Sequence, residues 1–402
     1  MSGEKGGVPE AWREVRIGEI ANVTRGASPR PAGDSRYFNG DYLPWVTVGE
    51  ITNKPGMYLC STDSFLTEAG AKFTRIIQPN TLLLTNSGAT LGVPKITQIL
   101  CGANDGVAVI SELKSVTNEY FYYLLDRSIL AFRTMASGVG QPNLNTDLIS
   151  EFSILLPPLP EQRKIAAILS TWDDALATLG QLLKAKHQQK RGLAEALLTG
   201  KKRLPGFEGK WEKKNLREMV VEYSHKSTEN DLYPVITSAK SGIYLQSEYF
   251  KKSVSSEDTT GYKIVPRGYL TFRSMSDTGD FTFNRQDILD NAIISPAYGV
   301  FKFHQIDPDF GLYLMNGKPM KDSLARVTQG GTRIALKISS FKEFNFLVPG
   351  LPEQQAIASI LSTLDDEIAS LEALKAKVQE QKRGLMDELL TGRVRVKVEE
   401  TC

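Results

Sequence analysis

A chain of 402 residues, 41% apolar and 23% charged, is long enough for two or three domains and has the composition of an ordinary globular protein. Lys+Arg 48 against Asp+Glu 46 leave a formal charge of +2, so no global field selects nucleic acid or an acidic partner, and such binding must come from local patches. Cys60, Cys101 and Cys402 are too few and scattered for a disulfide framework, the N-terminal MSGEKGGVPEAW lacks an apolar signal core, and no segment reaches the roughly 18 apolar residues of a membrane span, so a soluble, cytoplasmic protein is expected.

A first variable block runs from about Trp12 to Leu155. Leu43 to Val48, Thr81 to Thr85 and Gly106 to Ile110 read as strands separated by Gly, Pro and Asn turns. Asn118 to Met135 reads as a helix with Tyr120, Tyr123, Leu124 and Phe132 on its apolar face. From Pro157 to Gly200 the pattern changes to PPLPEQRKIAAILSTWDDALATLGQLLKAKHQQKRGLAEALLTG. Ile165, Leu169, Trp172, Leu176 and Leu179 alternate steps of four and three, the spacing of a coiled-coil seam. Proline and an acidic residue open this helix, and Gly200 stands where a left-handed cap closes it.

Lys201-Lys202-Arg203 and the turn-rich Pro205 to Gly209 form a linker. A second variable block, from about Trp211 to Val348, carries Tyr233 to Ile236, Tyr269 to Phe272 and Tyr298 to Phe301 as strands. The chain then repeats itself: PGLPEQQAIASILSTLDDEIASLEALKAKVQEQKRGLMDELLTG, Pro349 to Gly392, aligns without a gap 192 residues after the first copy, and more than half the positions are identical. Its seam is Ile357, Leu361, Leu364, Ile368 and Leu371. A helix of about 38 residues spans somewhat under 60 Å and exposes an apolar stripe whose natural partner is the other copy. The expected fold is α+β: two mixed α/β globules joined by two long helices packed as an antiparallel coiled coil, with pseudo-two-fold symmetry. The expected boundaries are 1–156, 157–200, 201–348 and 349–402.

Catalytic motifs are missing. Gly311 to Lys318 has one residue too many for a phosphate-binding loop, and Pro319 stands where Ser or Thr belongs. Gly138-Val-Gly140-Gln-Pro-Asn143 lacks the third glycine of a dinucleotide fingerprint. There is no Asn/Asp-Pro-Pro-aromatic tetrapeptide of an amino-methyltransferase. His187, His225 and His304 with distant cysteines offer no zinc set. Glu380-Gln-Lys382 resembles the tail of a nuclease motif, but its counterpart Gln188-Gln-Lys190 lacks the acid. Asp173-Asp174 and Asp365-Asp366 are paired carboxylates, yet adjacent helical residues point about 100° apart, and a solvated or partner-facing helix surface accounts for them.

Leu-Pro-Glu-Gln-x-x-Ile, then Leu-Ser-x-x-Asp-Asp and Lys-Arg-Gly-Leu-x-x-x-Leu-Leu-Thr-Gly, present twice, resembles the specificity (S) subunit of type I restriction-modification systems. Trp12 to Glu19, Pro44-Trp45-Val46 and Ser137 to Asn143 agree with that pattern. Gln329-Gly-Gly-Thr-Arg333 departs from it in the second block. The resemblance implies two target recognition domains, each reading half of a bipartite double-stranded DNA site, with the helices as spacer and platform. It implies two modification (methyltransferase) subunits and ATP-dependent restriction subunits as partners. No cofactor is expected in this chain; S-adenosylmethionine, ATP and Mg belong to the partners, and the chain itself is non-catalytic. The competing class is a helical protein–protein scaffold without sequence-specific DNA binding, which the near-neutral charge favours.

Reading base edges needs Arg, Asn, Gln, Ser or Thr, and anchoring phosphates needs Lys, Arg and loop amides. The first block offers Arg25, Ser28, Arg30, Arg36, Thr85, Asn86, Ser87, Lys95, Gln141 and Asn143. The second offers His225, Lys226, Ser238, Lys240, Arg273, Ser274, Arg285, Gln329, Thr332 and Arg333. Tyr244, Tyr249 and Tyr262 are expected to be structural.

Overall fold

A computed structural model describes residues 9–136, 143–250, 256–276, 278–327 and 334–398. The chain forms two compact units: Met1–Gln181 with Glu372–Cys402, and Leu182–Leu371. The long helices, Leu159–Leu198 and Leu351–Leu390, each pass through both. Each unit is therefore one globular domain plus the beginning of one long helix and the end of the other.

In the first unit a five-stranded sheet runs in the order Asn22–Arg25, Val107–Ser111, Thr81–Thr85, Pro94–Thr97, Tyr58–Leu59, with only the last pair parallel. The apolar run Leu82-Leu83-Leu84 is fully buried because side chains alternate across a strand and both faces of this sheet are covered. Leu82 and Leu84 pack into the larger core, Leu83 into a smaller cluster with Val46, Ile51, Leu59 and Val109. The strand pair Arg13–Arg16 and Ser153–Leu156 closes the domain. The helix expected over Asn118 to Met135 is two, Asn118–Arg127 and Ile129–Met135. They break at Ser128, whose hydroxyl donates back to the Leu124 carbonyl at 2.7 Å and offers the backbone an alternative to continuing the helix.

The second unit is built on a four-stranded sheet in the order Val220–Glu222, Tyr298–Phe303, Leu270–Arg273, Asn284–Arg285. Phe272, Phe283, Phe301 and Phe341 form its centre, with ring centroids 5.2 Å apart for Phe272–Phe283 and 5.8 Å for Phe301–Phe341. Gly299 is required there, since a Cβ at that position would lie 2.1 Å from the Phe272 ring. The strand expected at Tyr233 to Ile236 instead spans Ile236–Ala239. Pro234, which has no N–H to donate, serves as an acceptor for the Ile293 amide at 3.0 Å.

The helix seam does double duty. Ile165 and Leu169 join Met386, Leu389 and Leu390 in the core of the first unit. Ile357 and Leu361 join Leu197 and Leu198 in the core of the second. Leu364 and Ile368 are buried, whereas Trp172, Leu176, Leu179 and Leu371 are half-buried. Within each unit the helices run antiparallel, because partner numbers fall on one helix as they rise on the other. Asp173 meets Lys382 while Glu161, nearer the start of its helix, meets Arg395 just past the end of the other, and Lys186 meets Glu367 while Lys190 meets Asp365. Gly200 and Gly392 both sit at φ +71°, the left-handed caps expected of them.

Candidate nucleic-acid interface

In the first domain, Arg25, Ser28 and Arg30 converge on one residue, Asp105. The Ser28 hydroxyl donates to Asp105 Oδ1 at 2.6 Å, Arg30 Nη2 to Oδ2 at 2.7 Å, and Arg25 Nε to the Asp105 carbonyl at 2.6 Å. The Ser28 hydrogen bond, reinforced by the arginines, holds the Asp105 carboxyl below its ordinary range. Asp105 lies in the Asn-Asp-Gly turn between two strands, and that turn chemistry is the signal that could have found it. Arg36 grips Asp34 in a fork and lies 5.4 Å over the Tyr37 ring.

A second corner forms where the central strand ends. Ser87 bridges to Asn143, and the Leu144 amide donates to the Asn86 carbonyl at 2.8 Å, so the loop entering the last helix before the long one is tied to the strand exit. The second domain repeats this bond: the Leu336 amide donates to the Ser274 carbonyl at 2.8 Å, and Leu336 follows Leu144 by 192 residues. Asn86 is buried, and its side-chain Oδ1 accepts no hydrogen bond among the described residues.

Three expected contacts are corrected, Asn86 among them, since all three are buried. Thr85 is fully buried, its hydroxyl donating to the Thr90 carbonyl at 2.7 Å and accepting from the Val93 amide at 2.9 Å, so it shapes a turn. Lys95 is 3% exposed and donates to the carbonyls of Lys54 and Gly56. Burial lowers its pKa, and the ammonium is spent inside the domain. Thr85 and Lys95 look like surface residues in the sequence because polar types in a β-run do not reveal which face they take.

In the second domain a cleft of about 450 Å³ gathers Ser238, Lys240 and Arg273, with Tyr249, Met275 and Thr278 on its walls. Lys240 is exposed, 3.9 Å from Asp280, and Arg273 is exposed at the end of its strand. Ser238 is nearly buried and accepts from Asn284 Nδ2 at 2.8 Å. Away from the cleft, His225 is exposed and stacks on Tyr223 at 4.4 Å, with Lys226 beside it. Arg285 is drawn back by Asp287 and Asp309. Tyr262 is buried as expected, whereas Tyr244 and Tyr249 are 36% and 45% exposed and form a ring pair at 5.1 Å. Two tyrosines five residues apart in a polar, turn-flanked segment carried that signal. Gln141, Gln329, Thr332 and Arg333 lie outside the described residues.

The Leu-Pro-Glu-Gln motif proves to be an anchor. Glu161 accepts from Trp12 Nε1 at 2.8 Å and from Arg395; Glu353 accepts from Trp211 Nε1 at 3.1 Å and from Arg203 at 2.7 Å. Gln162 Oε1 receives the Thr117 amide at 2.9 Å, and Gln354 Oε1 the Asp307 amide at 2.8 Å. Among the described residues no cluster of His, Cys, Asp and Glu is placed to hold a metal ion, and no helix is long and apolar enough to cross a membrane.

Residues 9–186 and 208–380 match the type I restriction modification DNA specificity domain. The chain is similar to the MjaVIII type I restriction enzyme specificity subunit of Methanocaldococcus jannaschii, at 24% identity over 97% of this chain and 94% of that one. It is also similar to the putative MjaX specificity subunit of the same organism, at 25% identity over 98% and 96%. Among solved structures, the S subunit of the type I system from M. genitalium aligns at TM-score 0.56 and 12% identity, covering 97% of this chain and 98% of that one. A chain from a study of complex assembly and conformational transition of the type I R-M system aligns at 0.62 and 15%, covering 96% and 99%. With the specificity domain matched twice across most of its length, and with two similar units each built on shared long helices, the chain belongs to the type I restriction-modification DNA specificity family, as a specificity subunit with two recognition domains.

Proposed function

We propose that each domain of this chain reads one half of a bipartite DNA site, and that the long helices carry two modification subunits. The chain is non-catalytic and cytoplasmic; S-adenosylmethionine, ATP and Mg reside on the modification and restriction subunits. In the first domain the readers are Arg25, Ser28 and Arg30 around Asp105, Arg36, and the Ser87–Asn143 corner. In the second they are Lys240, Arg273, Ser238 and Tyr249 of the cleft, with His225 and Lys226 as outlying contacts. Arg273 is the strongest base reader, being exposed at a strand end that also forms the cleft wall. The Arg273→Ala variant is expected to lose roughly 1–3 kcal/mol of discrimination at one half-site, leaving the other unchanged, when the assembled complex selects from randomised duplexes. Equal affinity for random and selected duplexes in the unaltered complex would favour the scaffold reading.

The observation that carries the proposal is internal identity without a folding reason. Leu159 and Leu351, Thr171 and Thr363, Asp174 and Asp366, Arg191 and Arg383 are the same residue in both helices and exposed in both. Buried identities keep the seam; exposed ones at a fixed offset are what two copies of one partner would require. Asp174→Arg should leave one modification subunit bound and the double variant with Asp366→Arg none, read as mass of the purified complex. Two subunits on the double variant would refute the docking face.

A further inference from the structure

The first aspartate of each paired-carboxylate motif sits at a three-way junction, and the junction occurs twice. In the first unit, Tyr123, on the helix Asn118–Arg127, donates to Asp173 Oδ2 at 2.6 Å. Lys382, from the far end of the other long helix, donates to Asp173 Oδ1 at 2.5 Å and stands 5.2 Å over the Tyr123 ring. In the second unit, Tyr313, on the helix Pro308–Asn316, donates to Asp365 Oδ2 at 2.7 Å. Lys190 pairs with Asp365 Oδ1 and stands 5.7 Å over the Tyr313 ring. The aspartates and the lysines are each 192 residues apart; the tyrosines, supplied by domains of unlike sequence, are 190 apart.

Each junction joins one recognition domain to both long helices. Tyr123 is fully buried, and the Lys382 side chain is 13% exposed. The Asp173 side chain is 35% exposed and, in the second junction, those of Lys190 and Asp365 are 29% and 41% exposed; ion pairs this accessible contribute little to stability, so stability alone does not account for the repeated arrangement. What the polar version adds is direction. Both aspartate oxygens are engaged by different elements, and hydrogen bonds weaken steeply off axis.

We propose that Tyr123–Asp173–Lys382 and Tyr313–Asp365–Lys190 are twin positioning junctions that set how each recognition domain is held on its helix ends, and thereby which half-site spacing the complex accepts. The proposal rests on the DNA-reading role above. The test is the complex with its modification subunits, carrying Tyr123→Phe and Tyr313→Phe together, which removes two hydroxyls and little shape. A parallel complex carries Lys382→Met with Lys190→Met. Binding is measured on duplexes with the selected half-sites at the preferred spacer and at one and two base pairs either side. The expected result is a preference for the preferred spacer reduced by roughly tenfold, about 1.4 kcal/mol, while affinity at that spacer changes little. An unchanged spacer profile in both variants, with or without a lower melting temperature, would overturn the proposal by showing the junctions to be structural. Failure of the unaltered complex to prefer its selected half-sites over scrambled ones at any spacer would instead sink the DNA-reading role itself.

Discussion

Replacing Leu361 with alanine is expected to destabilise the second unit by about 3–4 kcal/mol, read as the shift of its unfolding transition in urea. Leu361 is fully buried where a coiled-coil seam becomes a domain core, packed in one cluster with Ile357, Leu197, Leu314 and Phe346. Two helices and a globular domain close around it, so the cavity left by truncation cannot collapse by moving one element. That places the cost in the upper half of the Leu→Ala range, which runs from about 2 to 5 kcal/mol. Leu169 precedes it by 192 residues, is equally buried in the first unit, and should give the same loss there. Leu351 is the control: in the same helix but 51% exposed, it should change stability by less than about 0.5 kcal/mol. A Leu361→Ala effect no larger than the control would mean that the seam does not carry the domain.

The helices were legible because their information is local and repeated. Period, opening proline and closing glycine all lie within 44 consecutive residues, and the second copy checks the first. The domains were legible only as class. The strands read at Thr81 to Thr85 and Tyr269 to Phe272 stand out as β-rich runs, but nothing in the sequence shows that Lys95 turns inward to two backbone carbonyls, or that Ser128 divides a helix. Those outcomes depend on tertiary neighbours. The candidate contacts divide the same way. Ser238 and Lys240 lie far from Arg273 in sequence and meet it in one cleft, whereas Arg285 is taken by Asp287 and Asp309. Glu161 and Glu353 show the limit from the other side. An acidic residue in the first turn of a helix has a sufficient local reason, the dipole, and that reason conceals a long-range role with Trp12, Arg395, Arg203 and Trp211.

That role gives the second large effect. Glu353→Ala is expected to cost about 2–4 kcal/mol, and Glu353→Gln about half as much, in the same urea transition of the full chain. Glu353 is 3% exposed and accepts three hydrogen bonds: Arg203 Nε at 2.7 Å, Arg203 Nη2 at 2.8 Å and Trp211 Nε1 at 3.1 Å. Arg203 also lies 5.6 Å from the Trp211 ring and donates to the Gly209 carbonyl at 2.8 Å, so one carboxylate closes the whole linker between the helix end and the second domain. Alanine leaves the indole N–H unpaired and the guanidinium without its anion. The Arg203 side chain is 32% exposed and can recover some hydration, which keeps the estimate below the cost of breaking a fully buried pair. Arg203→Ala should cost less, about 1–2 kcal/mol, because Trp211 then keeps its acceptor. In the double variant the losses should fall short of additivity by at least about 1 kcal/mol, since each single change already breaks the same contact. Strict additivity would mean that Glu353 acts on the helix end alone, as its place in the first turn suggests, and that the linker is held by something else.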